Sequence, residues 1–197
     1  LYLRHLDPIL KMLNDRGARP MLWHDMMVEW TDEALAEMGQ RADLVLWGYN
    51  GDPECMGEKV CTPVFERFAK LGINMWGATA YKGANGCNVD LPVFETRRDN
   101  VVNWAATAQK HGLVGIITTA WSRYMHLEVQ CEPIDGALDS LAAHGIVLHE
   151  GQMPADDRAA CVEALAAIGE KARFEKCFAA LSALTTYREE GWAMVQQ

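Results

Sequence analysis

The sequence predicts an α/β fold built on a parallel sheet, and three observations carry that prediction. A helical pattern that ends at a glycine and runs into a short apolar segment recurs four times, as "DRGARPMLWHD", "EMGQRADLVLWGYN", "KLGINMWGATAYKG" and "KHGLVGIITTAWSRY". The segments after the glycines are apolar on both faces, as strands sandwiched beneath helices must be. The stretches between them carry helix start signals. The resulting order, α-β-α-β-α-β-α-β, calls for parallel strands joined by right-handed crossovers.

Taken in order, the opening "LYLRHLDPILKMLNDRG" has apolar residues at positions 3, 6, 9, 10 and 13, one helical stripe. A chain that opens on Leu1 inside such a stripe is expected to be a piece whose own N-terminus lies upstream. No basic stretch leading into an apolar core is visible, so no signal peptide is assigned. Gly17, Gly39, Gly72 and Gly112 are expected at left-handed helix C-caps, where a side chain would clash. Thr31 with Asp32 and Glu33 predicts an N-cap and acidic first turn for a helix over 32–38. Thr62-Pro63 predicts the start of a helix over 63–70, and Pro92 that of a longer one over 93–111. After Tyr124 the loop "MHLEVQCEPID" leads to a helix over 136–144, capped by Asp135 and stopped by Gly145. The last stretch reads as two alanine-rich packing helices with no strand. No linker or low-complexity segment divides the chain.

Half of the 197 residues are hydrophobic, enough for one sizeable core. A net charge of −9 and a pI near 5.1 argue against a nucleic-acid partner. No apolar run approaches the ~18 residues of a membrane span. The six cysteines, at 55, 61, 87, 131, 161 and 177, form no CxxC pair. They are expected to be reduced thiols in a reducing, cytoplasmic setting.

Ligands of parallel βα arrays bind at the carboxyl ends of the strands. Those ends are expected at Trp23-His24-Asp25, Trp47-Gly48-Tyr49-Asn50, Trp76 with Tyr81-Lys82-Gly83, and Trp121-Ser122-Arg123-Tyr124. Four of the seven tryptophans thus fall at strand ends. Such rings suit the C–H faces of a pyranose, with Asp25, Tyr49, Asn50, Lys82 and Arg123 available to its hydroxyls. A helix cap or an ion pair is the competing role for Asp25, and His24 reads as structural. No ligand spacing among His24, Asp25, His126, Cys131 and Glu132 supports a metal, and no GxGxxG or Walker pattern supports a nucleotide. Neither metal nor cofactor is expected. Four βα units are half of the eight that a closed barrel needs.

Five segments in order, "PMLWHDMM", "LVLWGY", "MWGATAYKGA", "RRDNVVNWAATAQKHGLVGIITTAWSRYMH" and "CEPIDGALDSLA", resemble the second half of glycoside hydrolase family 20, in its hexosaminidase D-like branch. The resemblance implies that residues 1–145 are βα units 5–8 of a (β/α)8 TIM barrel, with 146–197 a helical extension on the same domain. It implies a β-N-acetylhexosaminidase whose pocket is lined by Trp23, Trp47 and Trp121. Asp25 would accept from a sugar hydroxyl, Tyr49 or Tyr81 would hold the acetamide, and Arg123 would orient the last loop. Catalysis in this family is substrate-assisted and retaining, with an adjacent Asp-Glu pair instead of a protein nucleophile. The one Asp-Glu dipeptide here, Asp32-Glu33, has helix-start character, so the pair is expected upstream of Leu1. The competing expectation is a non-catalytic carbohydrate-binding half-barrel, whose two open sheet edges predict a homodimer.

Overall fold

The computed structural model describes residues 2–84, 91–121 and 134–195. Four strands form one sheet in the order β1-β2-β3-β4, with β1 Met21–Trp23, β2 Asp43–Trp47, β3 Met75–Lys82 and β4 Gly115–Ala120. The helices among the described residues are α1 Tyr2–Asp15, α2 Asp32–Arg41, α3 Thr62–Lys70, α4 Phe94–His111, α5 Leu138–Glu150, α6 Asp157–Leu165 and α7 Lys171–Val195. The pairing is parallel, Met21 opposite Asp43 and Trp23 opposite Val45, then Leu44 opposite Met75 and Trp47 opposite Ala78. The α/β alternation expected from the glycine-ended repeats is therefore present, and a four-stranded parallel sheet is compatible with half a barrel.

The chain divides into two compact units, residues 1–79 with 106–117, and residues 80–105 with 118–197. In the first, Leu35 and Met38 of α2, Leu44 and Leu46 of β2, and Phe65 and Phe68 of α3 are fully buried. The spacing of Val64, Phe65 and Phe68 puts all three on one stripe of α3, which is why that helix forms against the sheet. Each such side chain contributes roughly 1.5–3 kcal/mol through the water it sheds. In the second unit, Phe94, Ala142, Ala143, Cys161, Val162, Leu165 and Phe178 form one cluster. The alanines let α5, α6 and α7 pack as the covering helices that the composition predicts.

Gly17, Gly72 and Gly112 adopt φ of 73°, 70° and 64° and end their helices as expected. Gly39 does not. It lies inside α2, where a Cβ would stand 2.8 Å from Ile73 Cγ1, so close packing rather than a cap demands the glycine there. Gly145 likewise stops nothing: a 3-10 turn over Asp135–Ala137 leads into α5, which runs on to Gly151 at φ 80°. Thr31 caps α2 as expected, accepting from Ala34 N–H at 3.4 Å. Thr62 caps nothing; Cys61 holds the cap position of α3 and the Thr62 hydroxyl donates to Glu54 Oε1 at 3.2 Å.

Two carboxylates tie the first unit together. Asp43 opens β2 almost fully buried and accepts from Arg19 Nε at 2.8 Å, Trp76 Nε1 at 3.0 Å and Asn74 Nδ2 at 3.1 Å. Burial pushes its pKa up, but the hydrogen bonds from Trp76, Arg19 and Asn74 outweigh that and hold it below the usual value. Glu54, in the loop between β2 and α3, accepts from Lys110 Nζ at 2.7 Å and meets His111 Nε2 at 2.7 Å. Hydrogen bonds from Lys110, His111 and Thr62 lower its pKa to about 2.

Asp43→Ala should cost about 1–3 kcal/mol in urea unfolding, because it takes the one buried acceptor from Arg19, Asn74 and the half-buried Trp76 indole. A loss below measurement error would show that water replaces the carboxylate. A group whose pKa is depressed on folding stabilises above its unfolded value and loses that contribution as pH falls through its folded one. The Glu54 contribution should therefore be intact above an unfolded value of about 4.3 and vanish as pH falls toward about 2. Glu54→Gln should flatten that acid limb of the stability curve while leaving the limb due to Asp43.

Candidate functional site

In the first unit, β1 and β2 end on Trp23 and Trp47, which are 43% and 37% exposed. Trp23 pairs with Val45, two residues before Trp47, so both indoles leave the same face of the sheet. The opposite face is buried: His24 and Leu46 are fully enclosed, and the imidazole meets Phe68 of α3 edge-on at 6.4 Å. At these strand ends His24 thus turns toward α3, while Trp23 and Trp47 keep part of their surface exposed.

Tyr49 lies on Trp47, ring centroids 5.2 Å apart and planes 23° from parallel. The loop that carries it folds back over Gly48, where a Cβ would strike Met56 Sδ at 2.2 Å, and Glu54 anchors it to α4. Glu54 escaped the sequence reading because its partners lie 56 and 57 residues away. Asn50 beside Tyr49 is exposed.

His24 is structural, as expected. Its Nδ1 lies 3.1 Å from Val45 O and its Nε2 2.7 Å from Lys59 O. Burial lowers its pKa against the pull of those carbonyls. We assign the single proton of the neutral ring to Nε2, which has the shorter contact. Asp25 is half-buried in the turn after β1 and caps no helix, since α2 begins at Asp32 behind Thr31. Asp32 and Glu33 form the acidic first turn of α2, and Asp32 accepts from Arg67 Nε at 2.8 Å.

Trp76 corrects the pattern of four strand-end tryptophans. It is the second residue of β3, which runs six residues beyond it to Lys82. Its indole donates to Asp43 at the other end of β2 and crosses Gly115, where a Cβ would come within 2.6 Å of Cζ3. Trp76 is therefore part of the amino-terminal end of the sheet.

In the second unit, β3 ends on Tyr81 and Lys82, both buried. Tyr81 meets His144 of α5 edge-on, centroids 6.5 Å apart. Burial pushes His144 down to about 4, so it packs as a neutral ring, with Nδ1 2.7 Å from Ser140 O. Lys82 Nζ donates to the Trp121 carbonyl at 2.6 Å, and the Trp121 N–H donates to Lys82 O at 3.3 Å. Gly83, at φ 77°, lets that backbone approach, since a Cβ there would lie 2.3 Å from Trp121 O. The Trp121 indole itself is 40% exposed. Ser122, Arg123, Tyr124, His126, Cys131 and Glu132 lie outside the described residues.

Among the described residues no group of three or more His, Cys, Asp and Glu side chains is placed to hold a metal ion. No described helix is long and apolar enough to cross a membrane.

No protein-family model matches the chain. It is similar to human hexosaminidase D, 32% identical over 167 residues that make up 81% of this chain and 34% of the relative. It is similar also to bovine hexosaminidase D, 31% identical over 150 residues, 72% of this chain and 42% of the relative. The chain thus spans well under half the length of these relatives. What it shares with them, across most of its own length, is a hexosaminidase-like relationship.

Proposed function

We propose that this chain forms the sugar-facing part of a β-N-acetylhexosaminidase of glycoside hydrolase family 20, built as the last four βα units of a TIM barrel. The observation that carries the reading is the exposed aromatic set at the strand ends. Trp23 and Trp47 are partly exposed there, and Tyr49 stacks on Trp47. Indole faces shed little bound water and match the axial C–H groups of a pyranose, while Asp25 accepts from a hydroxyl. Resemblance implies Trp121 as a further pocket residue, with Arg123 orienting the last loop.

The chemistry would be substrate-assisted and retaining: the 2-acetamido oxygen attacks the anomeric carbon as the aglycone leaves. That step asks the protein for a donor to the acetamide carbonyl. Tyr49 is the better candidate, because it is half-exposed beside Trp47, whereas Tyr81 is packed against His144. It also asks for a general acid, which belongs to an Asp-Glu pair that this chain lacks at any described strand end. Asp32-Glu33 is committed to the start of α2. A carbohydrate-binding protein without turnover is the second reading.

Release of a chromogenic aglycone from its N-acetylglucosaminide by the full-length protein separates the two readings. Turnover supports the hydrolase, whereas saturable quenching of tryptophan fluorescence by N-acetylglucosamine with no turnover supports binding alone. In the active full-length enzyme, Trp121→Ala should lower kcat/KM at least about tenfold, or about 1.4 kcal/mol of transition-state stabilisation. Tyr49→Phe should lower kcat by roughly a hundredfold, as loss of one preorganised donor does. Tyr81→Phe should stay near wild type; the reverse ranking would exchange the two roles.

A further inference from the structure

We propose that Cys55 and Cys61 form a thiol pair that a low-molecular-weight disulfide, such as glutathione disulfide, converts reversibly into a cross-strand disulfide. The inference concerns the β2–α3 loop and does not depend on the sugar reading.

The two residues face each other in an isolated antiparallel bridge. Thr62 N–H donates to Glu54 O at 3.0 Å across that bridge, while Cys55 N–H turns away to Asp52 O at 3.1 Å. The bonds flank the cysteines instead of joining them, which marks the narrow, non-hydrogen-bonded kind of antiparallel pair. In such pairs the Cα atoms sit about 4.5 Å apart and the side chains leave the same side. Disulfides span Cα separations of roughly 4.4–6.8 Å, so closure needs a rotamer change and little backbone movement.

Both thiols are free, Cys55 exposed and Cys61 partly so. Their present contacts are weak: Cys55 Sγ donates to Asp52 O at 3.6 Å and Cys61 Sγ to Glu58 O at 3.9 Å. Cys161 is a contrast, buried and pushed up to about 12 by that burial.

The chemistry is two exchanges. The Cys55 thiolate attacks one sulfur of glutathione disulfide, giving a mixed disulfide and releasing one glutathione. The Cys61 thiolate then attacks the Cys55 sulfur and releases the second. Two protein thiols are oxidised, the two electrons reduce glutathione disulfide, and both protons end on the released glutathiones. The bond would close the turn between Glu54 and Thr62, next to the ion pairs that anchor the loop to α4.

The full chain would be treated with glutathione disulfide at about pH 8, where an ordinary thiol is partly ionised, and digested with trypsin without reductant. Lys59 lies between the cysteines, so cleavage there leaves peptides 42–59 and 60–67 joined only by the disulfide. The expected result is that joined pair, lost on reduction and lost in Cys55→Ser. Cys61→Ser should instead stall with glutathione on Cys55. Either of two results overturns the proposal: wild-type Cys55 that keeps its glutathione without resolving, or both thiols unmodified when the exposed Cys177 has reacted.

Discussion

The sheet is pinned at one end by Asp43. Three donors from two other stretches of chain converge on a single carboxylate at the first residue of β2: Arg19 ahead of β1, and Asn74 and Trp76 at the start of β3. Parallel strands have no tight turn to set their register, so something at their entry must do it. A charged acceptor shared between neighbours fixes β1 and β3 relative to β2 at their first residues. The opposite ends of the strands are then free to carry side chains chosen for reasons other than stability.

The division is visible residue by residue. Trp76 and Trp47 belong to paired strands and to the same residue type, yet one is spent on the carboxylate and the other is left facing out. His24 directly follows Trp23 at the end of β1 and is fully buried, meeting Phe68 of α3. The end of one strand therefore separates a packing residue from the half-exposed ring just before it.

Much of this was legible in the sequence, and the failures have a common cause. Glycines that end helices were recognisable at positions 17, 72 and 112, because the requirement for positive φ is local. Gly39 looks the same in sequence, but its reason is Ile73, which only the folded chain brings near. Trp76 was misplaced because hydrophobic periodicity marks that a strand exists and not where it stops. Glu54 gave no signal at all, since its role is defined by α4, more than fifty residues away. Among the strand-end candidates, Trp23, Trp47 and Trp121 sit where the repeat pattern puts them. Tyr49 and Tyr81 look alike in sequence, and only the folded chain distinguishes the half-exposed ring from the buried one packed on His144.

The stacking of Tyr49 on Trp47 bears on the entropy of recognition. An unrestrained aromatic side chain that becomes fixed by a ligand forfeits roughly 0.5–1.5 kcal/mol of rotamer freedom. Here the two rings already hold each other, 5.2 Å apart, before anything arrives. That loss has been absorbed during folding, so under the proposed reading a sugar ring would meet a preorganised surface and keep more of its contact energy as affinity.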